Sequence, residues 1–203
     1  MPITRGFKSK RSNEARDRIP PGQYVTQDFP VLTAGPTQRT PVENWSLTLQ
    51  RGDEMFGRWT WEQFETLQQT QRTTDIHCVT KWTKFDTRWR GVTIDDLMKA
   101  AGLSAPPTQF VMAHCDGGYT TNLPAADLLG GKAMVATRFA GLPLPATHGG
   151  PARLLVPHLY FWKSAKWVRS LVFMETDAPG FWEQRGYHIY GDPWREQRYT
   201  GDP

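Results

Sequence analysis

Two cysteines in 203 residues cannot build the multi-disulfide framework of a small secreted domain. No stretch approaches the roughly 18 consecutive apolar residues that a membrane-crossing helix needs. The first 30 residues hold neither an apolar run nor an Arg-Arg pair, so no Sec or Tat signal is expected, and the cytoplasm is the expected compartment. The chain also lacks G-x-x-x-x-G-K-[ST], G-x-G-x-x-G, G-x-S-x-G and H-E-x-x-H, which removes the common nucleotide, hydrolase and zinc-protease signatures. Five scattered histidines nominate no base for a Ser or Cys nucleophile. Leu, Ile, Val and Phe make up only about a fifth of the chain, near the level at which disorder is expected. Nine Trp, six Tyr and a net charge of only +4 reverse that reading and indicate an aromatic-rich core.

The surplus charge is local. Arg5, Lys8, Lys10, Arg11, Arg16 and Arg18 face only Glu14 and Asp17 within residues 1–22, which accounts for the whole excess. A basic arm of this kind reads as a solvated leader, not as a nucleic-acid surface. Pro20-Pro21-Gly22 ends it, leaving 23–203 as one expected domain. Residues 23–44 are rich in proline without a period and predict an extended segment laid over the core. Alternation over 45–50 predicts a strand, Thr60 a cap for a helix over 61–69, and 74–82 a strand feeding a loop. Thr93 and Asp96 have capping-box spacing ahead of a helix that Gly102 can end. Further strands are expected over 109–115, 133–139, 152–157 and 167–175, and a short helix after Pro124. The tail over 176–203 shows no period. The fold class expected is α+β, a mixed β-sheet core with few short helices and long coil segments.

Three places stand out chemically. Cys78 lies in Asp75-Ile76-His77-Cys78-Val79-Thr80-Lys81-Trp82, with Lys81, Lys84, Arg88 and Arg90 near enough in sequence to favour a thiolate; a packed, inert thiol is the alternative. His77-Cys78 and His114-Cys115 suggest a zinc set, but adjacent strand residues point to opposite faces, which argues against it. His148-Gly149-Gly150-Pro151-Ala152-Arg153 is a turn that lets backbone approach a ligand while His and Arg converge on an anion. Soon after it, Trp162-Lys163-Ser164-Ala165-Lys166-Trp167 offers two cations, a hydroxyl and main-chain donors between aromatics.

These segments, with Trp89-Arg90-Gly91-Val92 and Asp116-Gly117-Gly118-Tyr119, resemble in order and spacing the sulfite oxidase family of molybdenum enzymes, over about 29–187. The likeness is to its small single-domain bacterial members. It implies the fold of that family and an oxidoreductase that carries molybdenum on one molybdopterin, with no haem. By the same resemblance Cys78 ligates the metal. His148, Arg153, Ser164, Ala165 and Lys166, with Lys163 beside them, hold the cofactor. Thr33 and Asp116 touch it, while Tyr187, Trp89 and Lys81 serve the substrate side. The reaction implied is oxygen-atom transfer, either oxidation of sulfite or reduction of an S-oxide or N-oxide. An external redox carrier is then required. Thr83 and Leu32 stand where sulfite-oxidising members place arginines, which leaves both directions open and also a non-catalytic pterin-binding or carrier module.

Overall fold

The strand signal over 45–50 becomes β2, Ser46–Arg51, whose Leu47 and Leu49 are fully buried while Ser46, Thr48 and Gln50 face outward. The structure, a computed structural model, describes residues 16–203, so most of the basic segment over 1–22 lies outside the described residues. A turn at Gly52 returns the chain into β3, Glu54–Thr60, antiparallel to β2. Thr60 then caps α1, Trp61–Thr66. Its hydroxyl accepts from the Gln63 amide while the Gln63 side chain accepts from the Thr60 amide, so two otherwise free N–H groups are satisfied. The helix stops three residues short of the predicted end, because Leu67 is already extended.

Eleven strands form two sheets among the described residues. One sheet runs β3-β2-β11-β6-β7, where β6 is Phe110–Cys115, β7 is Thr120–Pro124 and β11 is Val168–Met174. Its strand β11 is parallel to β2 and antiparallel to β6, so the sheet is mixed. The other sheet is built on β5, Trp82–Thr93. Around β5 stand β1 (Tyr24–Val25), β4 (Thr70–His77) and β8 (Met134–Phe139), and β8 carries β9 (Leu142–Pro143) and β10 (Arg153–Leu155). Helix α2, Ile94–Ala100, follows β5 directly, with the Thr93 hydroxyl accepting from the Asp96 amide. Pro124 closes β7 instead of opening an α-helix, and a single 3-10 turn, Ala125–Asp127, comes after it.

The largest core packs Leu47, Leu49, Phe64, Leu97, Val111, Leu154 and Leu171 between the sheets. A second cluster packs Ile76, Cys78, Trp82, Trp89, Tyr160 and Trp162, and three of them, Cys78, Trp82 and Trp162, also line the candidate site. Gly91 sets the spacing of β5 against β8. A Cβ there would come within 2.0 Å of the Val135 carbonyl oxygen, so β5 and β8 approach closely only because the side chain is absent. The tail over 176–203 is coil with one 3-10 turn, Glu183–Arg185, and a bridge between Tyr187 and Tyr199.

Candidate active site

A cavity of about 340 Å³ gathers residues from six separated segments. The β4–β5 turn contributes Cys78 and the start of β5 contributes Trp82, and the β6–β7 turn contributes Asp116. The link from β9 to β10 contributes His148, the start of β10 contributes Arg153, and the link from β10 to β11 contributes Phe161, Trp162, Ser164, Ala165 and Lys166. A strap from Phe29 to Gln38 crosses the cavity, and Trp182 and Tyr187 of the tail complete the wall.

Cys78 sits just past the end of β4, on a turn closed by its own amide donating to the Trp82 carbonyl (2.9 Å). The thiol is buried, and burial pushes its pKa up. The Thr80 hydroxyl, donating to Sγ at 3.1 Å, and the Lys166 ammonium pull it back towards the thiolate. The cations near it in sequence do not supply that pull. Lys81 has a left-handed backbone (φ 74°) that carries it out of the turn to the surface, and it does not line the cavity.

Arg153 is the most unusual group in the wall. It is 1% exposed, and its guanidinium donates to the carbonyls of His148 (2.8 Å), Ser164 and Leu154 (3.4 Å). Its charge stacks over Phe161, 4.1 Å from the ring centre. No carboxylate pairs with it among the described residues, and burial lowers its pKa to about 9. Lys166 donates to the carbonyls of Leu32 (2.7 Å) and Thr147 (2.6 Å); burial, then Arg153, lowers its pKa to about 8. His148 is lowered to about 4 by burial, then by Arg153 and Lys166, so it is neutral at pH 7. Its Nδ1 is buried without a hydrogen-bond partner, while its ring stacks on Phe29 at 3.8 Å. Gly149 allows this convergence. Its φ of +104° is a left-handed conformation, and a Cβ there would meet the Lys166 backbone at 2.9 Å.

The remaining predicted residues divide. Thr33 lines the strap and bonds locally to Gly35 (2.7 Å), and Asp116 accepts from the Thr40 hydroxyl at 2.6 Å. Ser164 offers its hydroxyl as acceptor to the Val156 amide (2.8 Å). Tyr187 stands edge-on to Trp162 and stacks on Trp182; burial, then Tyr199, raises its pKa. Lys163, by contrast, is fully buried and points away. Its ammonium donates to Asn122 and to the Ile189 carbonyl and pairs with Glu183 at 2.6 Å, which leaves no donor for a cofactor. Trp89 is 2% exposed behind Phe29, Phe139 and Phe161, its indole donating to Thr87, so it backs the wall and does not form it. Of the aromatics that do form it, Trp82 and Trp162 stand in the sequence motifs without a role assigned to them, and Phe161 and Trp182 carry no sequence signal of their own. Among the described residues no group of three or more His, Cys, Asp or Glu gathers, so the zinc set does not assemble.

The donor set fits an anionic group attached to a soft metal. The cavity is lined by a thiol, a buried guanidinium without a carboxylate partner, a partly buried ammonium and an imidazole whose Nδ1 has no hydrogen-bond partner.

The comparisons agree with this chemistry. Residues 34–182 match the family model described as the oxidoreductase molybdopterin binding domain. The "Uncharacterized oxidoreductase YuiH" of Bacillus subtilis is 39% identical over 97% of this chain and 99% of its own length. The "Putative protein-methionine-sulfoxide reductase subunit YedZ1" of Azospira oryzae is 26% identical over 66% of this chain and half of its own length. The mitochondrial sulfite oxidase of Drosophila melanogaster is 26% identical over 49% of this chain, which spans only 19% of that protein. Among solved structures, the sulfane dehydrogenase SoxCD of Paracoccus pantotrophus shares the fold, with a TM-score of 0.60 and 20% identity over 69% of this chain and 40% of that one. The α+β architecture is that of the sulfite-oxidase-like molybdopterin-binding domains, and no helix among the described residues is long and apolar enough to cross a membrane. By fold, by family match and by a relative aligned almost end to end, this chain is a molybdopterin-dependent oxidoreductase and belongs to the oxidoreductase molybdopterin binding domain family.

Proposed function

We propose that residues 23–203 form one domain that uses a molybdenum–molybdopterin group to reduce a neutral S-oxide or N-oxide with electrons from an external carrier. When bound, that group supplies a two-electron couple for moving an oxygen atom between substrate and water. Cys78 is the protein's thiolate ligand to the metal; burial favours its thiol, and Thr80 and Lys166 partly offset that burial. Arg153, Lys166 and neutral His148, with the backbone of Ser164 and Ala165, hold the anionic end of the pterin. Thr33 and Asp116 lie along the strap side, and Tyr187 orients the substrate oxygen through its phenol.

The observation that carries this reading is the pairing of the Cys78 thiol with the carboxylate-free Arg153 guanidinium in one cavity. A charge of that kind, buried at 1% exposure, is satisfied best by an anion brought in from outside. The preference for a neutral oxide over sulfite rests on the remaining wall. Trp82, Phe161, Trp162 and Trp182 line it, Leu32 is apolar, and Thr83 is fully buried and bonded to His77 and Gln23 outside the cavity. The name of the Azospira relative points to the same class.

The test is elemental and pterin analysis of protein made in a host that synthesises molybdopterin, followed by assays in both directions. About one molybdenum and one pterin per chain, with dimethyl sulfoxide or trimethylamine N-oxide reoxidising a reduced viologen dye, is expected. Neither metal nor pterin in folded protein would overturn the cofactor assignment. Sulfite-driven reduction of ferricyanide faster than either oxide is reduced would reverse the direction.

A further inference from the structure

The buried pair Lys163–Glu183 has no part in the site as described, yet it is connected to three of the aromatics that shape it. Both side chains are 1% exposed and 2.6 Å apart. Glu183 Oε1 accepts from the Trp162 indole N–H at 2.9 Å and from the Thr121 hydroxyl at 3.0 Å. Glu183 also begins the 3-10 turn that separates Trp182 from Tyr187, and the Tyr187 amide donates back to the Trp182 carbonyl at 3.1 Å. Gly180 seats this loop on β7, where a Cβ would come within 2.6 Å of the Thr121 backbone. Lys163 completes the anchor by donating to the Ile189 carbonyl, beyond Tyr187.

One carboxylate oxygen therefore ties the indole of Trp162 to the loop that bears Trp182 and Tyr187. Tyr187 joins the other two rings, edge-on to Trp162 at 5.1 Å and stacked on Trp182 at 4.9 Å from centre to centre. A buried ion pair is a poor source of net stability, since apolar residues of similar size often serve as well or better. It is a good source of a single geometry, because an aperiodic tail has no ladder to fix where its side chains point.

We infer that Glu183, held by Lys163, is a positioning residue that sets the aromatic wall facing the substrate and takes no part in holding the cofactor. The inference rests on the proposal that Tyr187 faces the substrate, but its spectroscopic arm does not. The experiment compares wild type, Glu183→Gln and the double variant Lys163→Met with Glu183→Leu, all made in a molybdopterin-producing host. The double variant replaces the pair with apolar side chains, so that no lone charge is left buried. Indole N–H resonances are read by NMR, with Trp162 and Trp182 assigned by single Phe substitutions. Molybdenum and pterin are measured per chain, and kcat/KM is measured with dimethyl sulfoxide.

In the double variant both indole resonances shift and kcat/KM falls about 100-fold, the scale of a displacement of about 1 Å in a site, while metal and pterin stay at wild-type levels. Glu183→Gln keeps an oxygen for Trp162 and Thr121 and gives smaller changes in the same direction; it decides the question if the double variant does not fold. Unmoved Trp162 and Trp182 resonances overturn the inference, as does a loss of turnover that only follows a loss of pterin. If wild type takes no molybdenum or reduces no oxide, the proposed function fails, and the indole shifts alone still decide whether Glu183 positions the wall.

Discussion

Replacing Lys166 with Met probes the cation cluster from two sides. In protein made without the pterin, the Lys166 ammonium sits half-buried beside Arg153, and its pKa falls from 10.5 to about 8. The folded chain therefore releases this proton near pH 8, whereas the unfolded chain holds it to about 10.5. Between those values the unfolded state binds more protons, so stability rises with pH through that window and is lowest, for this residue, below it. At about 1.4 kcal/mol per pH unit the ceiling is about 3 kcal/mol. Solvent reaching the partly open ammonium reduces that to about 1–2 kcal/mol. Urea denaturation of wild type and Lys166→Met at intervals from pH 7 to 10.5 measures the difference. Only the wild type should show this rise; absolute stabilities are less informative, because Met also leaves the Leu32 and Thr147 carbonyls without their donor. In protein made with the pterin the substitution removes a charge-assisted contact of about 1.5–3 kcal/mol. Pterin affinity should then fall by about 10- to 150-fold. Parallel pH curves would refute the buried-cation reasoning, and full pterin retention would refute the assignment of Lys166 to the cofactor.

Cys78→Ala should leave far-UV dichroism unchanged, because a small apolar residue suits a position that is 6% exposed; visible thiolate-to-metal absorption and turnover should both disappear. Tyr187→Phe should slow oxide reduction while molybdenum content, measured in the same samples, stays constant; loss of metal would make Tyr187 structural. Gly91→Ala drives a methyl into the Val135 carbonyl and should cost about 3 kcal/mol. For a chain of this length that is a fall in Tm of about 6–12 °C by calorimetry.

The parts of the site that were legible in sequence are those whose chemistry is local. The His148–Arg153 turn needs its glycines within five residues, and Ser164, Ala165 and Lys166 lie on one short link, so spacing alone brings them forward. Strand β5 was hidden because its outward residues are charged. Thr83, Thr87 and Trp89 are buried while Asp86 and Arg88 are exposed, an alternation that a reader looking for apolar runs passes over. Lys163 looked like a phosphate ligand because its neighbours are cofactor candidates; its real partner, Glu183, lies in a tail without a period. For the same reason Trp182 could not be placed. Aromatics in coil acquire a direction only from tertiary contacts, and no local rule predicts which way they face.

The cavity wall draws on residues near both ends of the described chain, from Phe29 on the strap to Tyr187 in the tail. On the ribosome the strap, the Cys78 turn and the His148 turn emerge well before residues 181–187 are made. Until then the wall is incomplete on the side that Phe181, Trp182 and Tyr187 supply. A chain broken just upstream of Phe181 therefore keeps Cys78, His148 and Arg153 yet lacks one side of the cavity they share.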